Sequence, residues 1–470
     1  MTNTKETTTK KEKSDLIVRA KFFETKDSLL TELYKDEDKA AVAQIGIAAI
    51  LGYLGYIAIS DIFYNAGNKF GYKLIFISFP NVSLLMVSWC TVFISCMIAF
   101  SALQIWGRLR LYLSPKCNFI SATCLKVLDS LLIVGFVCYW FGVFTFAAYV
   151  TSTGYVTNLC AASLLLESFR MFAKTYACVR DTVPKMLKNK LKSEEHQYYP
   201  TFSNFLYFMF APTLVYNDSY PKFVYKFKYI KLTVLTNFRL KTPIRWSFIL
   251  EWLLHIVVVA ITFSCFIDTM MLSELGNLKN LRLMDIFALS FKFHFIVLIY
   301  IIFIFYIILH CVQNIFAEIL GFPYRVFYKD WWSSKNFVDF FNKWNVLVSD
   351  WFYIYVYHDV YRNLTNNNKF LAKYAVFFLS AVFHEACTSL AFGYFLPIVF
   401  VEYFMLVVVV SFVKIKSGRW ANVFFWFSQS MGISLALVVL ILENFARIKC
   451  PVENETISTI FTPRIFSCNQ

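Results

Sequence analysis

The chain has 470 residues, of which 58% are hydrophobic, 20% aromatic and 16% charged. Its mean hydropathy is +0.56, whereas a soluble domain is about a quarter charged, so composition excludes a water-soluble globular fold and points to an all-α polytopic membrane protein. The net charge of +15 does not imply nucleic-acid binding: membrane proteins concentrate Lys and Arg in cytosolic loops, and no zinc-finger or RNP pattern accompanies the basic residues.

In chain order, residues 1–40 carry nine basic and nine acidic side chains and no apolar h-region. They read as a polar, partly disordered cytosolic tail rather than a cleaved signal peptide. Nine apolar windows follow, at 43–62, 81–106, 127–151, 155–173, 246–271, 286–320, 370–394, 395–413 and 420–442. They predict one transmembrane domain over 41–445. The 286–320 run is longer than one crossing needs and is expected to tilt or project. The stretch 344–362 is interrupted by Asn345, Ser349, Asp350, His358 and Asp359, and is predicted as an amphipathic helix within or beside the membrane.

Loop charge sets the expected orientation. The segment 174–245 holds thirteen Lys or Arg against four Asp or Glu. Arg108, Arg110, Lys116 and Lys126 line one further loop, and Lys414, Lys416 and Arg419 another. The alternate connections are poor in basic residues. Nine crossings then leave the N-terminus in the cytosol and the tail 446–470 on the opposite side. Most of the twelve cysteines lie in spans, where a lone Cys behaves as a small hydrophobe. Cys450 and Cys468 lie in the polar tail, where an oxidising lumen lets them pair and a cytosol leaves two free thiols. Pairing would contribute about 3 kcal/mol on the chain-entropy model. Asn454-Glu455-Thr456 between them is a glycosylation acceptor pattern.

An ionisable side chain in hydrocarbon is costly and points to function. His384 and Glu385 stand together inside "FLSAVFHEACTSLAFGYF", with Ser380 one helical turn earlier. His384 is the candidate general base; the competing reading is a core histidine satisfied by hydrogen bonds. Of the other five, His196 lies in a polar loop, His255, His294 and His310 in spans, and His358 in the 344–362 stretch. No GxSxG elbow, HExxH pair, P-loop or GxGxxG is present, so serine hydrolase, metalloprotease and nucleotide chemistry lack their parts, and no metal site is expected. A transporter would also carry an intramembrane histidine, but no inverted repeat or paired broken helices support one.

A second cluster is "FYKDWW" (Phe327, Tyr328, Lys329, Asp330, Trp331, Trp332), followed by Trp344-Asn345. Aromatics at a bilayer edge commonly form an interfacial belt, but here an Asp sits among them. With "SAVFHE" (380–385) and the segments 169–184, 207–221 and 310–320, these motifs resemble the membrane-bound O-acyltransferase family, in the branch of the sterol and diacylglycerol O-acyltransferases. The resemblance covers most of the chain after about residue 160. Ser333 stands where the motif FYxDWWN has Asn.

The resemblance implies a bundle of about nine transmembrane helices around an intramembrane catalytic chamber in the endoplasmic reticulum membrane, and a homodimer or homotetramer. It implies acyl transfer from a long-chain acyl-CoA substrate with no cofactor, His384 as base and Asn345 stabilising the thioester carbonyl. Trp344 would pack the site, and the acyl chain would thread past "FYKDWW". Acyl-CoA contacts would fall on Asp339, Asn342, Asn345, Ser349, Tyr357, Lys369 and Ser380. Of these, Asp339, Asn342 and Ser349 depart from the family's residue; Lys343 or Lys369 would replace the basic group absent at 342. The loop "APTLVYNDSYP" and the Cys-to-Cys tail, with its Cys450–Cys468 pair, resemble the sterol branch. A sterol is therefore the expected acceptor and diacylglycerol the alternative.

Overall fold

The computed structural model describes residues 26–64, 78–113, 119–188, 198–220, 244–278, 281–405, 419–452 and 457–468. His196, the 189–197 and 221–243 parts of the basic 174–245 loop, Asn454-Glu455-Thr456 and the second half of the 395–413 window lie outside them. Among the described residues the regular elements are helical, apart from one isolated bridge between Lys26 and Tyr324.

A short helix α1 (Leu29–Leu33) precedes α2 (Glu37–Tyr64), α3 (Val82–Leu113), α4 (Phe119–Ser152) and α5 (Asn158–Met186). Then come α6 (Phe202–Phe210), α7 (Trp246–Ile267), α8 (Leu283–Ile304) and α9 (Gln313–Leu320). The last elements are α10 (Phe337–Trp344), α11 (Val346–Trp351), α12 (Lys369–Phe392), α13 (Arg419–Lys449) and α14 (Ile457–Phe461). A π-helical turn, Phe305–Val312, splices α8 to α9 into one long rod, which accommodates the length anticipated for 286–320.

Seven segments among the described residues are long and apolar enough to cross a membrane, and they match seven of the nine expected windows. The window 155–173 does form a helix, α5, but Glu167, Arg170 and Lys174 lower its hydropathy. Only the first part of 395–413 is described, as the turns Ile398–Phe400 and Val401–Met405. The 344–362 stretch is not one amphipathic helix. Asn345 interrupts it between α10 and α11, and π-helical turns at Phe352–Tyr357 and Val360–Leu364 follow. Trp351, Phe352 and Tyr355 from it are buried in the main core beside Phe208 and Tyr216.

Part of the expected polar tail is also packed. Lys26 exchanges backbone hydrogen bonds with Pro323 and Arg325. Ser28 is fully buried, where Asn314 donates to its hydroxyl at 3.1 Å. His310 bonds the Tyr328 hydroxyl through Nδ1 at 2.6 Å within the same cluster, while its buried Nε2 has no partner among the described residues. His255 likewise bonds the Tyr306 hydroxyl at 2.8 Å, and His294 the Phe291 carbonyl at 2.8 Å.

The bundle closes through two packed groups. On one side α3, α4, α5 and α6 share a core around Phe100, Met171, Phe205 and Phe208. On the other, α8 and α13 meet through Phe293, Val438 and Leu442, with the Ser434 hydroxyl donating to the Ser290 carbonyl at 2.8 Å. At the far end of α13, Cys450 and Cys468 are disulfide-bonded.

The charges on α5 are paired within the fold. Arg170 grips Glu167 at 2.6 and 2.7 Å, and Trp89 donates to the same carboxylate at 3.0 Å. Lys174 is buried and donates to the carbonyls of Phe208, Met209 and Ala211 at 2.7, 3.1 and 2.6 Å. These belong to the C-terminal end of α6, where carbonyls lack helical partners and a cation is favourable. Lys174→Met keeps the bulk; the Met209 and Ala211 carbonyls retain Arg170 and Thr213 N as donors, but the Phe208 carbonyl loses Lys174, at about 1–3 kcal/mol. The apparent melting temperature in detergent should fall by roughly 2 °C or more; an unchanged melting curve would contradict this role.

Candidate active site

Asn345 sits where the chain changes direction. Its backbone (φ −134°, ψ 89°) ends α10 and starts α11, and its side-chain oxygen accepts from Val348 N at 3.2 Å. This is an N-cap, and it consumes the amide oxygen. The NH2 group has no protein partner among the described residues, so an oriented donor is left for a ligand.

The "FYKDWW" segment seats this turn. Val346 N donates to the Phe327 carbonyl at 3.0 Å, and Lys329 N to the Lys343 carbonyl at 2.8 Å, so the two motifs are joined by backbone on both sides of Asn345. Phe327 and Tyr328 are fully buried. Trp331 lies 4.7 Å from Phe305, 4.8 Å from Trp344 and 5.5 Å from Trp426, ring centre to ring centre. Trp332, more exposed, accepts through its carbonyl from Asn422 and Trp426, each at 3.1 Å. Ser333 fills the motif's Asn position by donating to the Asp330 backbone and carboxylate at 2.7 and 2.6 Å. Its hydroxyl, with Lys343 adding to the effect, holds the Asp330 carboxyl below the usual range.

His384 lies in the middle of α12. Its Nδ1 is 2.7 Å from the Ser380 carbonyl, which can only accept. Nδ1 therefore carries the proton in the neutral ring, and the lone pair is on Nε2. His384 keeps accessible surface, whereas Glu385 is buried. The Glu385 carboxylate accepts from Ser389 Oγ at 2.8 Å and from Phe400 N at 3.0 Å. It thereby ties the 398–405 turns to α12, and its presence beside the histidine is structural.

Those turns bring in Tyr403, which stacks on the His384 ring at 5.0 Å and 20°. Its hydroxyl accepts from Ser380 Oγ at 3.3 Å. Phe341 of α10 packs on Tyr403 at 4.9 Å, so the helix that ends at Asn345 and the helix that carries His384 meet across one tyrosine. Sequence reading missed Tyr403; the only signal was the Glu402-Tyr403 pair interrupting an apolar window.

The remaining expected ligand residues fall into two groups. Asp339, Asn342 and Ser349 lie around the same turn: the Ser349 hydroxyl donates to the Asn342 side chain at 3.4 Å, and Asp339 pairs with Lys343 at 3.1 Å. Lys343 also reaches Asp330 at 3.4 Å, so two carboxylates already neutralise it, contrary to its expected compensating role. Lys369, exposed at the start of α12, is the basic side chain still available. Tyr357 stacks between Tyr353 and Tyr361 at 5.6 and 5.9 Å, away from Asn345. Beside that stack a surface recess of about 360 Å³ is lined by Tyr176, Tyr355 and Asp359; it includes neither His384 nor Asn345.

Residues 134–442 match the membrane-bound O-acyltransferase (MBOAT) family. Sterol O-acyltransferase 1 of Mus musculus is 27% identical over 460 residues, covering 96% of this chain and 79% of its own length. Sterol O-acyltransferase 2 of Homo sapiens is 27% identical over 463 residues, covering 96% of this chain and 81% of its own. With the family match spanning more than half of the sequence, the chain belongs to the membrane-bound O-acyltransferase family.

Proposed function

We propose that this protein transfers a long-chain acyl group from acyl-CoA to the 3-hydroxyl of a sterol, giving a steryl ester and CoA. The observation that carries the chemistry is the Nδ1–H bond of His384 to the Ser380 carbonyl at 2.7 Å, which leaves Nε2 as a base. Nε2 takes the hydroxyl proton as the acceptor oxygen attacks the thioester carbonyl. The Asn345 amide donates to the oxyanion that develops there. Collapse breaks the carbon–sulfur bond, and the departing thiolate recovers a proton from the imidazolium. No acyl-enzyme forms. Reaction inside the bundle limits competing hydrolysis of the thioester.

Asp339, Asn342, Ser349, Tyr357, Lys369 and Ser380 are assigned to acyl-CoA, with Lys369 as the cationic contact for the phosphates. The choice of a sterol over diacylglycerol rests on the likeness to the sterol O-acyltransferases across 96% of the chain. The protein is placed in the endoplasmic reticulum membrane as a homodimer or homotetramer, N-terminus cytosolic and C-terminus luminal. The Cys450–Cys468 bond favours an oxidising compartment for the tail. In sealed microsomes, added protease should cut a tag within 189–197 and spare one after Cys468; cleavage of both or of neither would overturn this orientation.

Expression in cells lacking both steryl-ester and triacylglycerol synthesis should restore steryl-ester droplets. Triacylglycerol alone would overturn the acceptor assignment. In the same cells His384→Ala should abolish ester formation with normal membrane insertion, and Asn345→Ala should lower it by about 10²-fold or more. Undiminished activity of His384→Ala would sink the mechanism.

A further inference from the structure

A base held by a single hydrogen bond can swing out of its rotamer about χ1 and χ2 whenever that bond breaks. For His384 the bond is Nδ1–H to the Ser380 carbonyl. Rate depends on the direction of the lone pair as well as its presence, so something must keep the ring in place. We propose that Tyr403 is a positioning residue for the reaction: its ring supports one face of the His384 imidazole and holds Nε2 on its line of attack. This rests on the proposed role of His384 as the base.

Three observations carry it. The two rings lie nearly parallel, 20° apart with centres at 5.0 Å. The Tyr403 hydroxyl receives a hydrogen bond from Ser380, the residue whose carbonyl holds Nδ1, so the ring lies against the same turn of α12. Tyr403 is itself fixed from several directions. Glu385 binds Phe400 N at 3.0 Å before it, and Phe341 packs on it at 4.9 Å from α10. The neighbouring Glu402 carboxylate lies so close against Gly432 of α13 that a side chain at 432 would collide with it. A π face below the imidazole also favours the imidazolium formed when the base takes a proton, a stabilisation that appears only as the reaction proceeds.

The test compares Tyr403→Leu, Tyr403→Met and Tyr403→Phe with the full-length wild type in detergent. Leu and Met remove the stacking face; Phe keeps it, and Met preserves bulk in case Leu perturbs folding. Two readouts are used: steryl-ester kinetics with oleoyl-CoA, and the rate at which diethyl pyrocarbonate modifies His384, followed by peptide mass spectrometry. For Leu and Met, kcat should fall by about tenfold or more while KM for oleoyl-CoA stays within about twofold. His384 modification should accelerate by about threefold or more, because an unsupported imidazole presents Nε2 more freely. Phe should remain within about threefold of wild type on both readouts. Wild-type labelling rates in Leu and Met, or a Phe variant as impaired as Leu, would overturn the proposal. If the wild type forms no steryl ester, the proposed function falls, and the labelling series still decides the role of Tyr403.

Discussion

Two backbone hydrogen bonds, from Val346 N to the Phe327 carbonyl and from Lys329 N to the Lys343 carbonyl, join the aromatic loop to the turn that carries Asn345. Without them the turn would have no rigid support, since Asn345 lies at a break between two short helices rather than within one. A short helix in isolation is marginal, so α10 and α11 depend on what they are packed against. The Trp331 cluster supplies that packing, with Phe305, Phe340, Trp344 and Trp426 arranged edge to face. The "FYKDWW" motif is thus a scaffold for the turn that carries Asn345, with Trp331 buried in the packing.

The second constraint is the cost of polar groups in an apolar medium. Among the described residues, Lys174 and the buried carboxylates each have more than one partner. Glu318 holds Arg245 and Arg325, each at 2.7 Å, Glu443 holds Arg447 at 2.8 Å and the backbone of Arg464, and Lys174 caps α6. Glu385 belongs to this group. Like His255, His294 and His310, His384 has only its Nδ1 hydrogen-bonded among the described residues, but it differs in standing beside the turn that carries Tyr403. A histidine and a glutamate adjacent in a spanning helix therefore do different jobs: the imidazole stacks on Tyr403, and the carboxylate secures the turn that carries it.

Much of this was legible in the sequence, for identifiable reasons. Long apolar runs give spanning helices almost independently of context, so the segments 37–60, 82–113 and 283–320 were foreseeable. His384 drew attention because an ionisable side chain is rare in an apolar window, whereas Asn345 was singled out by the motif resemblance. What periodicity could not show was pairing at a distance. Helix α5 carries charges whose partners lie on α3 and α6, so its hydropathy understates its burial. The break at Asn345 depends on the Phe327 and Lys343 carbonyls, more than ten residues apart from their donors. Ser28 looked like part of a solvated tail because its partners, His310 and Asn314, are 282 and 286 residues away. Tyr403 escaped for the same reason: stacking on His384 is a tertiary contact with no local signature beyond a polar pair in an apolar window. Lys343 looked available in the sequence and is committed to Asp330 and Asp339 in the fold.

The central claim is that a neutral His384, tautomerically fixed and paired with an Asn345 donor, transfers an acyl group to a sterol rather than to water or a diglyceride. The most direct measurement gives purified protein isotopically labelled oleoyl-CoA with equimolar cholesterol and diacylglycerol, and identifies the labelled products by mass spectrometry. The account predicts labelled steryl oleate as the main product, with CoA released in equal amount and little free oleate. Label recovered chiefly as oleate or triacylglycerol would contradict it.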